Sequence, residues 1–233
     1  MNMHHIIITG ASRGIGHATA LLYASMGWNI SICSRHCDYQ MTQTQDAITA
    51  AGGQYFSFCG DMGNAEDAEE FLAKAVQTFG TPEILVNNAG ISHIGLLQDM
   101  TPMQWDDIIR TNLSSVFYTS RVIIPYFLQE KHGRIINVSS VWGSVGASTE
   151  VAYSTTKGGI NAFTKALAKE LAPSGIPVNA VACGMIDTSM NSFLDPEELA
   201  AVIECFLDTQ SKENRVLFMR RYWYADSFAD IGR

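Results

Sequence analysis

The sequence predicts an α/β fold in which helices cover both faces of one doubly wound parallel sheet. Segments with helical periodicity separate six short apolar runs, which lie at 6–9, 30–33, 54–59, 84–87, 134–139 and 178–182. A glycine-rich turn at 9–16 follows the first run and opens a helix. Strands that alternate with helices favour crossover connections, and these favour a parallel sheet buried between helical layers.

Each apolar run has the character of a central strand, because hydrophobic residues follow one another with little alternation. Gly27 before the second run and Gly80 before the fourth indicate where the intervening helices end. The chain has 233 residues, of which 47% are hydrophobic, and no break in composition divides it. That length suffices for one large core, so we expect a single domain.

The formal net charge of −8 disfavours nucleic acid or an anionic membrane as a partner, because both attract a basic surface. No apolar run approaches the roughly 20 residues of a membrane-spanning helix, and the first strand begins too early to leave room for a signal peptide. The five cysteines have neither zinc-site nor disulfide spacing, and they are Cys33, Cys37, Cys59, Cys183 and Cys205. We therefore expect a cytoplasmic protein without a metal site.

A tyrosine and a lysine four residues apart, Tyr153 and Lys157, form the most informative pair in the chain. Residues four apart share one face of a helix, so the ammonium of Lys157 can lie beneath the Tyr153 ring. A nearby cation lowers the pKa of a tyrosine from its ordinary value of about 10, which makes the phenol a usable general acid. Most such pairs are plain helix contacts, and this one gains weight from its neighbours in the sequence.

Ser140 lies where the apolar run at 134–139 ends. Open α/β sheets bind their ligands at the carboxyl ends of strands, so the Ser140 hydroxyl is expected at the same site. Serine, tyrosine and lysine together predict a site for carbonyl reduction. A serine hydrolase is a weak alternative, because Ser139 and Ser140 lack the Gly-x-Ser-x-Gly elbow of those enzymes.

The turn at 9–16 reads Thr-Gly-Ala-Ser-Arg-Gly-Ile-Gly. Glycines let the backbone turn tightly and approach a pyrophosphate, and the helix that follows offers its free N–H groups. Glycines also mark ordinary strand-to-helix corners, so the turn alone is a moderate signal. The predicted cofactor contacts in this turn are Gly10, Ser12, Arg13, Gly14, Ile15 and Gly16.

The end of the second strand indicates which cofactor is bound. An NAD-preferring fold usually places an acidic residue there, against the ribose 2′-hydroxyl. Ser34 and Arg35 stand at this position instead, and with Arg13 they can bind a 2′-phosphate in forked geometry. NADP(H) is therefore favoured over NAD(H), and Asp38 keeps the second option open.

Taken together, these motifs resemble the short-chain dehydrogenase/reductase family over about residues 4–200. The matching motifs, in family order and spacing, are 9–16, Asn-Asn-Ala-Gly at 87–90, Asn112, Ser140, Tyr153 and Lys157. The resemblance implies a Rossmann-type fold and NADPH-dependent reduction of a carbonyl on a small molecule or a carrier. Residues 1–205 would form the dinucleotide-binding catalytic domain, and 206–233 an atypical final segment of that domain.

The resemblance implies a role for each catalytic residue. Tyr153 donates a proton, Ser140 holds the substrate carbonyl, and Lys157 binds the nicotinamide ribose and lowers the pKa of Tyr153. Asn112 holds a water that links Lys157 to solvent. A catalytically impaired nucleotide-binding homologue is the alternative from a different class, and the presence of all four residues counts against it.

Further cofactor contacts follow from the resemblance. Asp61 matches the residue beside the adenine, Asn88 a part of the cofactor wall, and Thr188 a contact to the nicotinamide amide. A turn aspartate, a strand-end asparagine and a helix cap are the plainer interpretations of these three. Beyond the turn and the second strand, the predicted contacts are Asp61, Met62, Asn88, Ala89, Gly90, Tyr153, Lys157, Gly184, Ile186 and Thr188.

Within the family, residues 133–140 and 168–172 resemble the β-ketoacyl-acyl-carrier-protein reductase branch. Residues 141–150 are less usual, and they resemble a neighbouring branch that reduces a 5-aminopentanone group on a lysine of elongation factor P. Trp142 and Glu150 are the expected substrate contacts there. Glu150 can pair with a substrate amine, and a solvated loop carboxylate is an equally supported alternative.

Two residues beside the cofactor depart from the family pattern, since Cys183 replaces a usual proline and Pro177 a common arginine. The family's seventh strand and glycine-rich tail have no match in 206–233, which leaves the final edge strand in doubt. We hypothesise an altered terminus, for instance by a reading-frame change, which translation of the genomic region in its other frames would test. A homodimer or homotetramer is expected from the resemblance, through helices at 103–118 and 154–171.

Overall fold

The computed structural model describes residues 4–184, in which six strands form one parallel sheet. The strands are β1 (His5–Thr9), β2 (Asn29–Ser34), β3 (Gln54–Cys59), β4 (Ile84–Asn87), β5 (Arg134–Ser140) and β6 (Val178–Cys183). Their order in the sheet is β3-β2-β1-β4-β5-β6. The six predicted strands are confirmed, and each observed end lies within one residue of its predicted position.

Seven α-helices lie within the described range: α1 (Gly14–Ser25), α2 (Tyr39–Ala50), α3 (Ala65–Phe79), α4 (Pro102–Ile109), α5 (Ser115–Glu130), α6 (Trp142–Val145) and α7 (Val151–Leu171). A π-helix at Arg110–Ser114 joins α4 to α5, and short 3₁₀-helices occupy Leu97–Asp99 and Ala172–Ser174. Gly27 and Gly80 follow the ends of α1 and α3 with φ of 78° and 81°, a left-handed conformation that glycine adopts at little cost. The two predicted helix ends are therefore confirmed.

The sheet separates two hydrophobic cores, one on each face. In the first core, Tyr23 of α1 packs with Ile8 of β1. In the second, Phe71 of α3 and Phe127 of α5 pack with Ile7 of the same strand. Successive residues of a strand point to opposite faces, and each fully buried aromatic side chain contributes roughly 2–3 kcal/mol. Helices on both faces confirm the doubly wound α/β fold.

The strand order reverses at β1, which pairs with β2 on one side and with β4 on the other. The connections from β1 and β4 run in opposite directions, so a crevice opens at the carboxyl ends of these two strands. Thr9 ends β1 and Asn87 ends β4. The glycine turn and the Asn-Asn-Ala-Gly motif therefore both begin at this crevice.

Strands β3 and β6 differ from the sequence expectation, because they lie at the two edges of the described sheet instead of its centre, and β3 is the more exposed of the two. Gln54 and Tyr55 are exposed, and the middle of the strand is half-buried. Phe56 and Phe58 stack on Phe71 of α3, so the aromatic residues of this run cover one face only. The final edge strand, which the sequence leaves in doubt, and the segment 206–233 lie outside the described residues.

Candidate active site

The glycine turn between β1 and α1 is packed too tightly for side chains at two positions. A Cβ on Gly10 would lie 2.7 Å from the Cα of Ala89, and a Cβ on Gly16 would lie 2.5 Å from the carbonyl oxygen of Gly10. Gly10 and Gly14 also have φ of 66° and 57°, which other residues adopt only with strain. The turn therefore brings the amino end of α1 against the loop that follows β4.

The amino end of α1 is open to an anion. Arg13 precedes the helix without a side-chain cap, and the first turn of the helix holds no acidic residue. The first N–H groups of a helix have no partners within it and carry a partial positive charge, which suits a phosphate. The glycine cradle and the uncapped helix end together fit the pyrophosphate of a dinucleotide.

A cavity of about 350 Å³ lies at this helix end and along the carboxyl ends of the strands. Its wall includes twelve of the predicted cofactor residues, namely Gly10, Ser12, Arg13, Gly14, Ile15, Ser34, Arg35, Asp61, Met62, Asn88, Ala89 and Gly90. It also includes residues that no sequence motif assigns to the cofactor, namely Cys33, His36, Asp38, Gln40, Gly60, Gly63, Ile91 and Thr111. Most of these adjoin an assigned residue, so extending each motif by one position would have found them.

Arg35 is held at the edge of the cavity by three neighbours. Its Nη2 atom lies 2.5 Å from Thr111 Oγ1 and 3.6 Å from Asp107 Oδ1. Its Nε atom lies 3.4 Å from Asp61 Oδ2, which also accepts a hydrogen bond from Arg110 Nη1 at 2.6 Å. This network fixes the guanidinium beside the point where the second strand ends.

The carboxylate of Asp61 is more acidic than usual. Burial would raise the pKa of this carboxyl, but hydrogen bonds from Arg110 and the Gly63 N–H, with the charges of Arg35 and Arg110, hold the pKa below its ordinary value. The Gly63 N–H donates to Oδ1 at 2.9 Å. Asp61 therefore lies on the cavity wall with both of its oxygens engaged by the protein.

Ser34 and Asp38 flank Arg35 and have separate local partners. The Ser34 hydroxyl donates to the carbonyl oxygen of His36 at 2.6 Å, which closes the turn after β2. The Asp38 side chain accepts a hydrogen bond from the N–H of Met41 at 3.2 Å and caps α2. The cap gives Asp38 a structural role that is independent of any ribose.

Asn88 joins the loop after β4 to the glycine turn. Its Nδ2 atom donates to the carbonyl oxygens of Thr9 and Gly10 at 3.0 and 2.8 Å. The Oγ1 atom of Thr9 accepts the backbone N–H groups of Asn88 and Ala89, each at 3.0 Å. Asn88 therefore forms part of the cavity wall by holding the turn in place.

Ser140, Tyr153 and Lys157 come together where β5 meets α7. Ser140 is the last residue of β5, and its Oγ accepts the N–H of Trp142 at 3.2 Å. The Nζ atom of Lys157 lies 5.5 Å from the centroid of the Tyr153 ring and donates to the carbonyl oxygen of Val138 at 2.8 Å. The structure therefore brings these three sequence-predicted residues to one site at the carboxyl end of a strand.

Burial dominates the protonation of the tyrosine and the lysine. It raises the pKa of Tyr153 to about 12, although a hydrogen bond with Ser140 lowers that pKa. It lowers the pKa of Lys157 to about 8. The lowering of the tyrosine pKa that the sequence predicts is therefore not found, because the phenolate is desolvated and the lysine ammonium is bonded to Val138.

Asn112 lies in the π-helix and is fully buried. Its Oδ1 accepts the N–H of Ile91 at 2.8 Å, and its Nδ2 donates to the carbonyl oxygen of Ile91 at 2.9 Å and to Thr156 Oγ1 at 3.1 Å. Single π-helical turns interrupt the hydrogen-bond ladder of a helix and are frequent at functional sites. The contacts give Asn112 a positioning role, because they hold the loop after β4 against the helix that carries Tyr153 and Lys157.

Two loops, one after β4 and one before α7, are joined beside Tyr153. Ser92 Oγ donates to Glu150 Oε2 at 2.8 Å, and the N–H of Gly95 donates to the carbonyl oxygen of Thr149 at 2.9 Å. Besides burial, which is the main cause, the charge of Glu150 raises the pKa of Tyr153. No sequence motif marks Ser92, because only the pairing of the two loops reveals it.

The two departures from the family pattern lie at the ends of β6. Pro177 precedes the strand, where its missing N–H interrupts no ladder, and its carbonyl oxygen accepts the N–H of Ile135 at 3.0 Å. The carbonyl oxygen of Cys183 accepts the N–H of Val141 at 3.0 Å. Neither residue disturbs the pairing of β6 with β5.

Three predicted cofactor contacts lie at or beyond the end of the described range. Gly184 is the last described residue, and Ile186 and Thr188 lie outside the range.

The adjacent histidines at the start of β1 have separate partners. His4 pairs with Glu83, and His5 pairs with Ser31 in the sheet interior. Within residues 4–184, no group of three His, Cys, Asp or Glu side chains is placed to hold a metal ion. The helices of this same range are all too short or too polar to cross a membrane.

Comparison with known proteins places the chain in a family. The family model described as short chain dehydrogenase matches residues 4–199. A 3-oxoacyl-[acyl-carrier-protein] reductase of Staphylococcus aureus is 39% identical over 191 residues, which cover 82% of this chain and 78% of that protein. A 3-oxoacyl-[acyl-carrier-protein] reductase of Synechocystis sp. is 37% identical over 197 residues, which cover 84% of this chain and 80% of that protein.

Among solved structures, a candidate short-chain alcohol dehydrogenase from Sinorhizobium meliloti 1021 has a TM-score of 0.85 and 27% identity, with 100% of this chain and 88% of that one covered. Fold and site together define an oxidoreductase of Rossmann type. The chain belongs to the short chain dehydrogenase family, whose members use a nicotinamide cofactor. The family resemblance seen in the sequence is thereby confirmed.

Proposed function

We propose that this protein is an NADPH-dependent reductase of 3-oxoacyl groups carried on acyl carrier protein, and that it acts in fatty acid biosynthesis in the cytoplasm. The observation that carries this proposal is the convergence of Ser140, Tyr153 and Lys157 beside a glycine-lined cavity. Relatives that are 37–39% identical are named for this activity.

The residues of the cavity fit a nicotinamide dinucleotide, which supplies the hydride when bound. The uncapped amino end of α1 would hold its pyrophosphate against Gly10 and Gly14, which line the cavity. The Nζ atom of Lys157 lies 3.7 Å from the Cβ position of Gly90 on the cavity wall, where it would donate to the nicotinamide ribose. This arrangement leaves Ser140 and Tyr153 to the substrate.

Tyr153 is the proton donor in this proposal. Because burial raises the pKa of Tyr153 to about 12, the phenol is protonated at neutral pH and ready to donate. The alkoxide that forms on hydride addition is far more basic than a phenolate, so the proton moves to it readily. Ser140, which is hydrogen-bonded to the phenol, would hold the carbonyl oxygen next to it.

NADPH is proposed over NADH because the guanidinium of Arg35 follows the end of the second strand and that of Arg13 lines the same cavity. Ser34 lines it too, with its O–H donated to His36, and guanidinium binds phosphate through paired hydrogen bonds. Asp38 is engaged as the cap of α2. Arg35 also contacts Asp61. A guanidinium has five N–H donors, so it can donate hydrogen bonds to a carboxylate and a phosphate at the same time.

The test is NADPH oxidation in the presence of a 3-oxoacyl thioester. Tyr153→Phe should lower turnover by roughly 10²- to 10⁴-fold, the usual effect of losing a general acid, and should leave NADPH affinity unchanged. Tyr118→Phe, at a half-buried position on α5, is the matched control and should keep full activity. A wild type that binds NADPH and reduces no carbonyl compound would contradict the proposal and favour the catalytically impaired alternative.

A second candidate is reduction of a 5-aminopentanone group on a lysine of elongation factor P. It is favoured by Glu150, whose carboxylate is held by Ser92 and acts electrostatically on Tyr153. A carboxylate at this position can form an ion pair with a substrate ammonium, whereas an uncharged acyl chain offers no partner for it. Under this candidate, Glu150→Gln lowers kcat/KM for the aminopentanone-bearing protein by roughly tenfold or more, and it lowers thioester reduction much less.

A homodimer or homotetramer is proposed as the working state. Met103 on α4 is 78% exposed and Phe117 on α5 is 48% exposed, which leaves apolar surface for a second copy. On α7, Ile160 and Leu167 are buried within the chain, so they belong to its core. Light scattering of the purified protein tests this, and a monomer at working concentration would contradict it.

A further inference from the structure

Two exposed cysteines, Cys37 and Cys59, lie beside the cavity where β2 and β3 end. Ser34 is the register partner of Cys59, and the N–H of Gly60 donates to the Ser34 carbonyl oxygen at 3.0 Å. The chain turns after Ser34 and returns Cys37 to the end of β3, where its side chain lies close enough to Cys59 for the two thiols to interact. The thiol of Cys59 also lies 3.9 Å from the carbonyl oxygen of Arg35.

The other two cysteines of the described range are placed differently. Cys33 is fully buried, and burial raises the pKa of its thiol to about 12. Cys183 is partly buried at the end of β6, and burial raises the pKa of its thiol to about 11. Thiols in such surroundings are shielded from solutes, whereas Cys37 and Cys59 meet solvent and each other.

We propose that Cys37 and Cys59 form a reversible disulfide, and that this disulfide weakens the binding of NADPH. The first half of the inference concerns the thiols alone. The second half rests on the proposed function, because it concerns the cofactor. Disulfides in a reducing compartment are usually transient and regulatory, which suits an exposed pair next to a binding cavity.

The oxidant is a low-molecular-weight disulfide. The Cys59 thiolate attacks one of its sulfur atoms, which forms a mixed disulfide and releases one thiolate. Cys37 then attacks the Cys59 sulfur and releases the second thiolate. Two protein thiols are oxidised, one small disulfide is reduced to two thiols, and the two protons pass to the leaving groups.

The two cysteines have different parts in this exchange. The hydrogen bond with Cys59, with burial and the charges of Cys59 and Asp38, raises the pKa of Cys37 to about 11. Position also separates the two: Cys59 is fixed at the end of β3, and Cys37, which the turn after β2 carries, acts as the resolving thiol. A resolving thiol already in contact with its partner closes the disulfide quickly.

Closure would move one wall of the cavity toward another. Arg35 and His36 line the cavity within the turn that carries Cys37, and Asp61 lines it two positions after Cys59. A disulfide joins two sulfur atoms at about 2.0 Å, much closer than two thiols in contact lie. The Arg35 guanidinium must then shift against Asp61, so it no longer stands where a 2′-phosphate would meet it. NADH lacks this phosphate and is affected less.

The test uses the full chain with Cys205→Ser, so that a thiol outside the described residues cannot compete. The protein is treated with glutathione disulfide, alkylated, digested and analysed by mass spectrometry, and cofactor binding is measured by calorimetry. We expect linked peptides that contain Cys37 and Cys59, reversal by dithiothreitol, and an NADPH Kd that rises roughly threefold or more on oxidation. The NADH Kd should change less.

Cys37→Ser and Cys59→Ser are the matched variants, and each should prevent both the linkage and the oxidative loss of NADPH affinity. Free thiols at both positions after oxidation, or a mixed disulfide that persists, would overturn the proposal. Linked peptides with an unchanged NADPH Kd would overturn its second half. A reduced wild type that binds neither cofactor would contradict the proposed function, and the linked peptides would still decide the disulfide.

Discussion

The Nζ atom of Lys157 lies 5.5 Å from the centroid of the Tyr153 ring and donates to the carbonyl oxygen of Val138 at 2.8 Å. Both side chains are withdrawn from water, so each resists its charged form. Burial raises the pKa of Tyr153 to about 12 and lowers that of Lys157 to about 8. The folded chain therefore holds a lysine whose charge costs stability at neutral pH.

Lys157→Met should stabilise the chain and abolish carbonyl reduction. Methionine removes the buried charge at similar length, and the gain should be about 1–2 kcal/mol at neutral pH after loss of the hydrogen bond to Val138. Activity is lost because the ammonium that would bind the ribose is gone. Denaturant unfolding without cofactor measures the gain. Lys165→Met, exposed on the same helix, is the control and should change neither property. A less stable Lys157→Met variant would show that the protein solvates the ammonium well.

Arg35→Ala should weaken NADPH binding by roughly 10- to 100-fold, because losing a charge-assisted hydrogen bond costs about 1.5–3 kcal/mol. NADH affinity should change little, since NADH has no 2′-phosphate. Calorimetric titration of both cofactors measures the difference. Arg121→Ala is the control, because Arg121 is 57% exposed and lies 3.9 Å from its partner Glu69 on the surface. An equal loss for both cofactors would mean that Arg35 supports the cavity wall and does not recognise the phosphate.

Sequence patterns predict structure well where a residue type has one physical use. Apolar runs can only be strands or buried helices, and their length separates the two, so all six strands were placed within one residue. Gly10 and Gly16 were assigned to the turn because close approach excludes every side chain there. Tyr153 and Lys157 share a helix face because of their spacing alone.

The remaining features depend on contacts between distant segments. Arg35 and Thr111 are 76 positions apart in the sequence, and Ser92 and Glu150 are 58 positions apart. No local sequence pattern therefore predicts either contact. The pKa of Tyr153 depends on how deeply the ring is buried, which its sequence neighbours do not reveal. Spacing therefore located the site, and packing determined its electrostatics.

Gly16→Ala should destabilise the chain and weaken the binding of both cofactors. The added Cβ would lie 2.5 Å from the carbonyl oxygen of Gly10 and 2.6 Å from Nδ2 of Asn88, so the turn must move. Such overpacking costs about 1–3 kcal/mol, and it widens the cradle for the pyrophosphate. Gly95→Ala is the control, because its nearest contact would be an ordinary 3.5 Å to His93. Thermal unfolding and cofactor titration measure the two effects, and an unchanged Gly16→Ala variant would show that the turn has room to relax.

His5 should make the chain less stable in mild acid. Its Nδ1 atom donates to the carbonyl oxygen of Gly80 at 2.9 Å, and its Nε2 atom accepts from Ser31 Oγ at 2.8 Å. Burial lowers the pKa of His5 to about 4, although the bond to Gly80 opposes this shift. In the unfolded chain, His5 binds a proton near its ordinary pKa of about 6.5. The contribution of neutral His5 to the free energy of unfolding is therefore fully present above that pH and is lost as the pH falls toward 4. The loss should reach about 2 kcal/mol by pH 5.

Urea unfolding of the wild type and of His5→Gln, at about pH 7 and about pH 5, measures this contribution. Glutamine does not titrate, so the variant should be less stable at neutral pH and should lose this part of the acid dependence. His132→Gln is the control, because His132 is exposed beside Glu83, and it should keep the wild-type dependence. If His5→Gln and the wild type lose the same stability between the two pH values, the folded chain protonates His5 as readily as the unfolded chain does.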